Sequence, residues 1–567
     1  MLVYGDHRRD ASLPDLLAQI ANGAAKLEGR AGLSWHGACF DLLRLVSELL
    51  QGWADAERER RGIDETSPGQ DRIAAAAVEV ARALDRSWRS GFADQPLPDL
   101  SMLAGLDALD PPAALTLRGG EGFDFYAVYP ELYLSAARRL PSGAVVIGLR
   151  SIGAALAPLV AAASSARLVV TLRPVGHPFQ RRVEVGPDLR ARLLADPRAV
   201  VAIVDEGPGL SGSSFGGVAD WLEAEGVPRD RIVFMPSHGG EPGREASAEH
   251  RARWQGARRL HAPFEDVILA GTGEGEGTPL ARWFADLSGE VCEPELQDLS
   301  GGLWRGFSPW VDAPVDPGRE ARKYRLEAGE GAVLLKFVGF GPDAEAKFER
   351  ARALFDAGFS PEPLALRHGF LAERWVEGAR WTPQPAEAAD HLARYLGFRS
   401  RTFPADRAGA DLVTLAEMAR YNLGQCIGTD AAAALLGEWT EARIADLQAL
   451  VRPVFVDARL HPWEWIATPR GVVKTDAVDH ARAHDLVGCQ DIAWDVAGAS
   501  VEFGLDPEET VELGDCVSGR GARELIRFMR LAYLGFQAGW WSYASGEGAP
   551  ARREFYVAEA RACAWNG

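Results

Sequence analysis

One stretch, residues 201–215, limits the possible fold more than any other part of the sequence. It reads VAIVDEGPGLSGSSF, which is an apolar run, the acid pair Asp205 and Glu206, a Gly/Ser-rich loop and the start of a helical pattern. Open parallel sheets bind ligands outside the carboxyl ends of their strands. Glycine allows backbone conformations with positive φ, so several N–H groups can point at one anion. The stretch therefore predicts a strand–loop–helix unit with an anion site.

Strands and helices alternate on both sides of this unit, which predicts an α/β fold with a parallel sheet covered by helices. The predicted strands are 144–149, 167–173, 181–185, 199–205 and 231–236. Helices are expected at 151–163 and 217–225, and apolar spacing predicts three earlier ones at 13–26, 39–58 and 73–88. We expect an N-terminal helical region (1–104), a parallel-sheet domain (105–300) and a C-terminal α+β domain (301–567).

The unit at 201–215 resembles the phosphoribosyl-pyrophosphate motif of the type I phosphoribosyltransferases. By this resemblance Asp205 and Glu206 hold the ribose diol, and the loop binds the 5-phosphate. The loop residues are Gly207, Gly209, Leu210, Ser211, Gly212, Ser213 and Ser214. The loop is one residue longer than usual between the acid pair and Ser211, which predicts an altered phosphate grip. The alternative is a Gly-rich turn without a ligand.

Two further loops fit the same resemblance. VVIGLRSIGAALA (145–157) implies a pyrophosphate loop with Arg150, Ser151 and Gly153, in which the guanidinium forks onto phosphate oxygens. The loop 171–182 implies a hairpin that closes over the ligand. Its candidate residues are Arg173, His177, Arg181 and Arg182, with His177 as proton donor to the leaving group. A solvated basic hairpin is the alternative reading. The resemblance implies Mg²⁺ as a cofactor that binds together with phosphoribosyl pyrophosphate.

An aromatic segment, EGFDFYAVYPELY (121–133), has two readings that the sequence leaves open. Its rings could stack on a flat base, or they could pack in the core. The residues concerned are Phe123, Phe125, Tyr126 and Tyr129.

Residues 320–510 resemble the aminoglycoside-phosphotransferase branch of the protein-kinase-like fold. Lys336 in VLLKF matches the lysine that holds ATP phosphates, and Glu345 or Glu349 would be its pairing carboxylate. The sequence has only five lysines among 61 basic residues, which adds weight to Lys336. RLHPWEW (459–465) replaces the catalytic loop, and GVVKTDAVDH (471–480) the metal-binding strand, so Asp476 and Asp479 are the predicted metal ligands. CQDIAWDVAGA (489–499) matches a helix start whose Asp491 and Asp495 we interpret as structural.

This half departs from the family at the reacting position. Arg459 stands where the family has its catalytic Asp, and Glu464 where it has a metal-binding Asn. A guanidinium cannot accept a proton. Three readings stay open: nucleotide binding without transfer, transfer by Glu464, Asp476 and His461, or retention of the fold alone. His480 and His484, four residues apart, would share a helix face and could bind a metal, or they are polar neighbours of Asp476.

Composition limits the binding partners and the cellular location that we expect for this chain. The net charge of −19 disfavours nucleic acid as a partner. No uncharged apolar run reaches ~18 residues, so we expect no membrane span and a cytoplasmic location. The expected ligands are small phosphorylated molecules, and a homo-oligomer is allowed.

We therefore expect a Mg²⁺-dependent phosphoribosyltransferase that acts on a nucleobase-like molecule. It is fused to an atypical kinase-like domain that binds or phosphorylates a related metabolite with ATP and Mg²⁺. The rival hypothesis is a sensor of nucleotide or phosphoribosyl pyrophosphate that does not turn over its ligand.

Overall fold

The computed structural model describes residues 8–272, 277–287, 295–327, 331–518 and 522–565. The N-terminal part has one short strand and three helices, and it confirms the helices expected there. α2 begins before the predicted residue 39, because Trp35 already extends its buried face. The bounds are β1 Arg8–Ala11, α1 Leu13–Ala25, α2 Gly32–Arg61 and α3 Pro68–Arg89.

The middle of the chain alternates strands and helices, as predicted. Its elements are β2 Leu115–Arg118, α4 Glu121–Asp124, α5 Pro130–Ala137, β3 Val145–Leu149, α6 Gly153–Ser164, β4 Leu168–Leu172, β5 Val175–His177, β6 Gln180–Arg182, α7 Pro187–Leu193, β7 Val201–Val204, α8 Ser213–Ala224, β8 Ile232–Met235, α9 Ala248–Gly256 and β9 Arg258–Arg259.

Five of these strands form the predicted parallel sheet, in the order β4-β3-β7-β8-β9. Side chains alternate between its faces because strand periodicity is two residues. Val145 and Ile203 pack towards α8. Val146 and Val204 pack towards α6 and the N-terminal helices. Both faces are therefore covered, which explains why the three central strands β3, β7 and β8 are wholly apolar.

One predicted strand is corrected. Residues 181–185 were expected to form a strand that follows the strand at 167–173 after a loop. Instead, β5 and β6 form a two-stranded antiparallel hairpin of their own. Only residues 178–179 connect its two strands, and so short a connection joins strands antiparallel, because adjacent parallel strands need a crossover of about a dozen residues or more.

The third part begins with an antiparallel sheet in the order β10-β11-β12-β14-β13. Leu335 and Phe337 of β12 pack against the N-terminal half of the chain, whereas Lys336 faces the other way. The elements are α10 Leu280–Trp283, β10 Leu296–Asp298, β11 Lys323–Leu326, β12 Val333–Phe337, α11 Gly341–Asp356, β13 Pro363–Arg367, β14 Phe370–Arg374 and β15 Ala379–Arg380.

The remainder is mostly helical, with a separate core of its own. A small sheet β15-β17-β18 and the pair β16-β19 connect it to the strands before it. The elements are α12 Pro385–Thr402, α13 Leu412–Ile427, α14 Thr429–Leu436, α15 Glu441–Gln448, β16 Pro453–Val454, β17 Trp465–Thr468, β18 Gly471–Lys474, β19 Gln490–Asp491, α16 Ala493–Glu502, α17 Pro507–Ser518, α18 Arg523–Trp541 and α19 Ala549–Trp565.

One apolar core runs through the N-terminal helices, one face of the parallel sheet and one face of the antiparallel sheet. The domain boundaries at 104 and 300 stay predictions. No helix among the described residues is both long enough and apolar enough to cross a membrane.

Candidate functional site

The loops after β3 and β7 lie side by side at the centre of the parallel sheet. The strand order reverses between these two strands, and ligands of such sheets bind at that switch point. A Cβ on Gly153, at the start of α6, would lie 2.8 Å from the carbonyl oxygen of Val204. Glycine is therefore needed for this close approach. The Arg150–Ser151 peptide bond is cis.

The acid pair is half-buried at the carboxyl end of β7. Burial raises the pKa of Asp205 to about 7. Burial, together with the neighbouring Asp205 and Glu121 carboxylates, raises the pKa of Glu206 to about 8. The Tyr133 hydroxyl donates to the Asp205 carbonyl at 2.7 Å, which fixes the backbone of the pair. Two closely spaced carboxyls of this kind can accept hydrogen bonds from a diol.

The predicted phosphate loop forms a tight turn into α8. Gly209 and Gly212 have φ values of +55° and +68°, whereas Gly207 does not adopt positive φ. The Ser213 hydroxyl donates to the Pro178 carbonyl at 2.9 Å, and the Ser211 hydroxyl donates to Ser213 at 2.9 Å. The turn of the β5–β6 hairpin is thus hydrogen-bonded to Ser213 of this loop. The remaining predicted loop residues are Leu210, which is 59% exposed, and Ser214, which is half-buried.

Arg150 and Arg173, the residues predicted to contact pyrophosphate, pair with acids of the N-terminal part of the chain. The Arg150 side chain is almost fully buried, pairs with Asp64, and lies 3.1 Å from Asp55. Arg173 donates to Asp55 at 2.9 Å. The acids belong to α2 and the segment after it, so the N-terminal region neutralises both guanidiniums. Ser151 lies 3.5 Å from an Arg173 nitrogen.

The other two hairpin candidates lie outside this ion-pair cluster. His177 is exposed at the hairpin, and its Nδ1 accepts from the Phe179 N–H at 3.2 Å. Arg181 is half-buried and lies 3.5 Å from the Pro174 and Gly176 carbonyl oxygens. Arg182 pairs with Glu184 at the surface. The described contacts do not bring these side chains to the acid pair.

A cavity of about 400 Å³ opens beside Glu206. Its walls include Tyr126, His238 and His261. Burial lowers the pKa of His238 and of His261, which favours neutral rings at neutral pH. The aromatic segment 121–133 therefore contains both kinds of residue expected for it, one that lines a cavity and others that pack in the core. Tyr126 is 44% exposed and lines this cavity, whereas Phe123 and Tyr129 are core residues.

A second cavity, of about 310 Å³, lies between the antiparallel sheet and the C-terminal helices. Lys336 projects into it and binds Asp476 at 2.7 Å and Asp479. Burial alone would lower the pKa of Lys336, but the two carboxylates raise it above its usual value. Lys336 in turn lowers the pKa of both acids, against the effect of burial. The three side chains predicted for phosphate and metal binding thus meet in one place.

The expected carboxylate partner on α11 is corrected. Glu345 and Glu349 are exposed, and Glu349 lies 3.4 Å from Arg352 on the surface. The charged residues buried on this helix are Lys347 and Arg350, and of these Lys347 lies 3.5 Å from Asp479 and donates to the Val338 carbonyl at 2.7 Å. The helix therefore contributes a second cation where an acid was expected.

Asp495 anchors the start of the loop that contains residues 459–465, the segment compared above with a kinase catalytic loop. Its carboxylate accepts from the Asp457 and Ala458 N–H groups at 2.7 and 2.8 Å, which fits its predicted structural role. Arg459 lines the cavity, with its guanidinium 4.0 Å from the Trp540 ring centre and 3.4 Å from Asp485. The position of the family's acid thus carries a fixed positive charge.

His461 and Glu464 follow in the same loop. The His461 ring stacks on Trp463 at 4.4 Å, and its Nδ1 lies 3.6 Å from Glu502. Burial lowers the pKa of His461, against the effect of Glu502. Ligand atoms of Glu464, Asp476 and His480 lie within 4.8 Å of one another, a spacing that a metal ion could bridge. His484 is not part of this group, because it contacts Tyr126 and Glu121 instead.

Sequence reasoning missed several residues of this site. Lys474 is fully buried and binds Glu464 at 2.6 Å and Asp457 at 3.1 Å. Burial raises the pKa of Glu373, on the neighbouring strand β14, to about 8. The scarcity of lysine was a usable signal, because Lys323, Lys336 and Lys347 all line the cavity.

Comparison with known proteins finds distant structural similarity only. No family model and no curated protein matches the chain. Among solved structures, choline kinase LicA from Streptococcus pneumoniae is 16% identical, with a TM-score of 0.30, over 42% of this chain and 89% of its own. A choline kinase from Cryptosporidium parvum is 11% identical, with a TM-score of 0.35, over 51% of this chain and 95% of its own.

A third structure is spectinomycin phosphotransferase APH(9)-Ia in complex with ADP and spectinomycin. It is 12% identical, with a TM-score of 0.32, over 50% of this chain and 96% of its own.

Proposed function

We propose that the 310 Å³ cavity binds a nucleoside triphosphate with Mg²⁺ and that the chain transfers a phosphoryl group to a hydroxyl of a small molecule. The observation that carries this proposal is the contact of Lys336 with Asp476 and Asp479 at the cavity wall. An ammonium and two carboxylates at one point suit a ligand that brings both phosphates and a divalent cation. The ammonium can pair with phosphate oxygens and the acids with the metal.

The donor set supports Mg²⁺, which prefers oxygen ligands. Asp476 and Glu464 supply carboxylate oxygens close to His480. When bound, the metal would neutralise phosphate charge. Lys347, behind Asp479, holds that carboxylate in place, and Arg459 adds positive charge on another side of the cavity.

His461 is the best candidate for the base that accepts the proton of the attacking hydroxyl. It lines the cavity, and burial keeps its ring neutral at neutral pH. Glu502 faces its Nδ1 at 3.6 Å. Burial would raise the pKa of Glu502, but Arg552 and His461 lower it to about 2, so the carboxylate stays ionised and can orient the ring. Arg459 cannot serve as this base.

The cavity wall also bears on the acceptor. Trp304, Trp375 and Trp463 line it, and such rings favour a flat or apolar group. Trp540 is already covered by two internal cations, Arg459 at 4.0 Å and Arg319 at 4.7 Å from the ring centre. A cationic acceptor would compete with these arginines. A neutral or acidic acceptor is therefore the better fit.

Calorimetric titration with Mg²⁺ and a non-hydrolysable ATP analogue tests the nucleotide site. Lys336→Met should weaken binding by at least about tenfold, since ~1.4 kcal/mol of lost phosphate contact has that effect. Lys26→Met is the matched control, because Lys26 is an exposed lysine outside the cavity. Equal binding in the two variants, or no binding to the wild type, would contradict the proposal. His461→Asn should keep binding and lose turnover of ATP with an acceptor.

We further propose that the parallel-sheet domain binds a ribose 5-phosphate group through Asp205, Glu206 and the loop 207–214, and that phosphoribosyl pyrophosphate with Mg²⁺ is its ligand. The specific support is the acid pair at the switch point beside a 400 Å³ cavity that holds Tyr126. Because Asp64 and Asp55 neutralise Arg150 and Arg173, pyrophosphate binding would require these arginines to exchange partners.

Titration with phosphoribosyl pyrophosphate and Mg²⁺ tests this second site. Binding should be lost in the Asp205→Asn/Glu206→Gln variant and kept in Lys336→Met. Binding at both sites without turnover of either ligand would favour a sensor over an enzyme.

A further inference from the structure

Three buried side chains from three distant parts of the chain meet at one point. His36 lies on α2, Glu131 on α5 and His368 in the turn between β13 and β14. The Nε2 atoms of His36 and His368 lie 2.6 and 2.9 Å from the same oxygen, Oε1 of Glu131. None of the three side chains is exposed to solvent. This cluster is separate from both cavities.

Hydrogen bonds within the cluster leave polar atoms unsatisfied. Within the described parts of the chain, Oε2 of Glu131 and Nδ1 of His368 are buried without a hydrogen-bond partner. The Glu131 side chain is fully buried, so its unpaired Oε2 has no contact with water either. A buried anion with one unpaired oxygen is unfavourable unless a cation accompanies it.

We propose that His36, Glu131 and His368 form a structural zinc site. Two imidazole nitrogens and the two oxygens of Glu131 give four donors of the types that Zn²⁺ accepts. Bonds of ~2.0–2.1 Å at tetrahedral angles place donor atoms of different side chains roughly 3.3 Å apart, so the two observed nitrogen–oxygen contacts need to open by about 0.4–0.7 Å, whereas the two oxygens of the one carboxylate stay closer together. Full burial leaves no place for a reactive water, which distinguishes a closed structural site from a catalytic one.

The surroundings fit such a role. The Ser87 hydroxyl lies 3.0 Å from Nδ1 of His36 and orients the ring, as outer contacts of metal-binding histidines commonly do. Aromatic rings from all three parts enclose the cluster and exclude water. These are Phe40, Trp88, Phe92, Tyr129, Trp283 and Phe340.

The site would join the N-terminal helices, the helix layer of the parallel sheet and the antiparallel sheet. The ligands come from elements that are far apart in sequence, so they assemble only when the three parts pack together. Metal binding then adds directly to the stability of the folded chain. This inference does not depend on either proposed ligand site.

Elemental analysis of the purified full chain tests the proposal. After loading with Zn²⁺ and removal of loosely bound metal by a weak chelator, the wild type should retain one zinc per chain. Glu131→Gln and His368→Gln should retain less than about a fifth of this. Glu464→Gln/His480→Gln is the matched control, because it alters the other three-residue cluster that could hold a metal, and it should retain the full zinc content.

Two readouts on the wild type keep the test decisive if a variant does not fold. Co²⁺ in place of zinc should give the intense visible absorption of a four-coordinate ion, and removal of zinc by a strong chelator should lower the melting temperature. A wild type that retains no zinc and shows no such absorption would overturn the proposal. So would zinc that stays at full content in folded Glu131→Gln and leaves in the control.

Discussion

Lysine placement carries unusual information at the scale of the residue. Arginine supplies nearly all the positive charge of this chain, so a cluster of lysines indicates a place where a compact ammonium serves better. Lys323, Lys336 and Lys347 line one cavity, and Lys474 lies buried next to it. Lys26 alone is elsewhere. An ammonium can sit among several carboxylates without the planar geometry that a guanidinium demands, and Asp479 accepts two such neighbours.

The acid pair of the parallel sheet leads to a prediction about pH. Burial raises the pKa of Asp205 to about 7 and that of Glu206 to about 8. Carboxyls of an unfolded chain titrate near ~4, so between about pH 4 and 8 the folded state holds more protons. These groups therefore stabilise the fold at low pH, and that stabilisation is lost as the pH rises through 7 and 8. Asp205→Asn/Glu206→Gln should remove this loss.

Urea unfolding at about pH 5 and about pH 8 measures the effect. The free energy of unfolding should fall more steeply with pH in the wild type than in the double variant. An exposed acid, Asp406, gives the control, and Asp406→Asn should follow the wild type. Parallel pH profiles for the wild type and the double variant would contradict the raised pKa values of the acid pair.

Local pattern predicts some residues of these sites and not others. Asp205, Glu206 and Lys336 could be predicted because each lies on or directly after an apolar strand. The partners of Arg150 and Arg173 could not, because Asp64, in the segment after α2, and Asp55, on α2, lie 86 and 118 residues earlier in the chain. Nothing in a local pattern states which distant acid will meet a buried guanidinium.

The phase of α11 shows how an element decides which charge enters a site. Ala344, Ala351 and Leu354 form its buried stripe, and Lys347 lies on that stripe at helical spacing. Glu345 and Glu349 lie off it. The helical period, read from these apolar residues, would have predicted the buried lysine. The resemblance to kinases led instead to the expectation of an acid.

Variants of α11 can test this assignment. Lys347→Met should weaken binding of the Mg²⁺–nucleotide several-fold, because Asp479 loses a cation that positions it. Glu345→Gln/Glu349→Gln should bind like the wild type, because both side chains point to solvent. Calorimetric titration compares the three proteins. Loss of binding in the double glutamine variant, with Lys347→Met unaffected, would instead support Glu345 or Glu349 as the carboxylate that pairs with Lys336.

The β5–β6 hairpin depends on one glycine of α8. A Cβ on Gly217 would lie 2.3 Å from the Arg181 carbonyl oxygen, so any side chain there must displace the hairpin backbone. Gly217→Ala should therefore raise the rate of trypsin cleavage after Arg181 and Arg182 several-fold. Gly256→Ala, at a helical glycine with open space around its Cβ position, is the control and should leave cleavage unchanged.

Cleavage at 181–182 that stays at the wild-type rate in folded Gly217→Ala would show that the hairpin does not need this contact. The sequence did predict a basic loop here. It could not predict where the hairpin packs, because that depends on a close backbone approach between two elements that α7 and β7 separate along the sequence.

At the scale of the whole molecule, the core is continuous across regions that the sequence analysis treated separately. Leu335 and Phe337 of the antiparallel sheet belong to the same cluster as Leu42 of α2 and Leu156 of α6. Binary pattern shows that a strand has an apolar face, and it does not show what covers that face. The parallel sheet, the helical N-terminus and the α+β end could therefore be predicted as parts, while their packing could not.

This packing places the two cavities on either side of one residue, Tyr126, which lines both. Its hydroxyl lies 2.7 Å from Nδ1 of His484, and His484 also pairs with Glu121 at 3.1 Å. Glu121 in turn raises the pKa of Glu206, after the larger effect of burial. A ligand that moves His484 in the 310 Å³ cavity should therefore affect the acid pair beside the 400 Å³ cavity.

If both proposed sites exist, their ligands should be coupled. Saturation with Mg²⁺ and the ATP analogue should change the affinity for phosphoribosyl pyrophosphate by about fivefold or more, and the reverse titration should give the same factor, because coupling free energies are reciprocal. Tyr126→Phe keeps the ring and removes the hydroxyl bond to His484, so the factor should fall towards one while each ligand still binds alone. Tyr421→Phe, at an exposed tyrosine on α13, should keep the full factor. Independent binding in the wild type would contradict coupling between the two cavities. Undiminished coupling in Tyr126→Phe would show that the Tyr126 hydroxyl does not carry it.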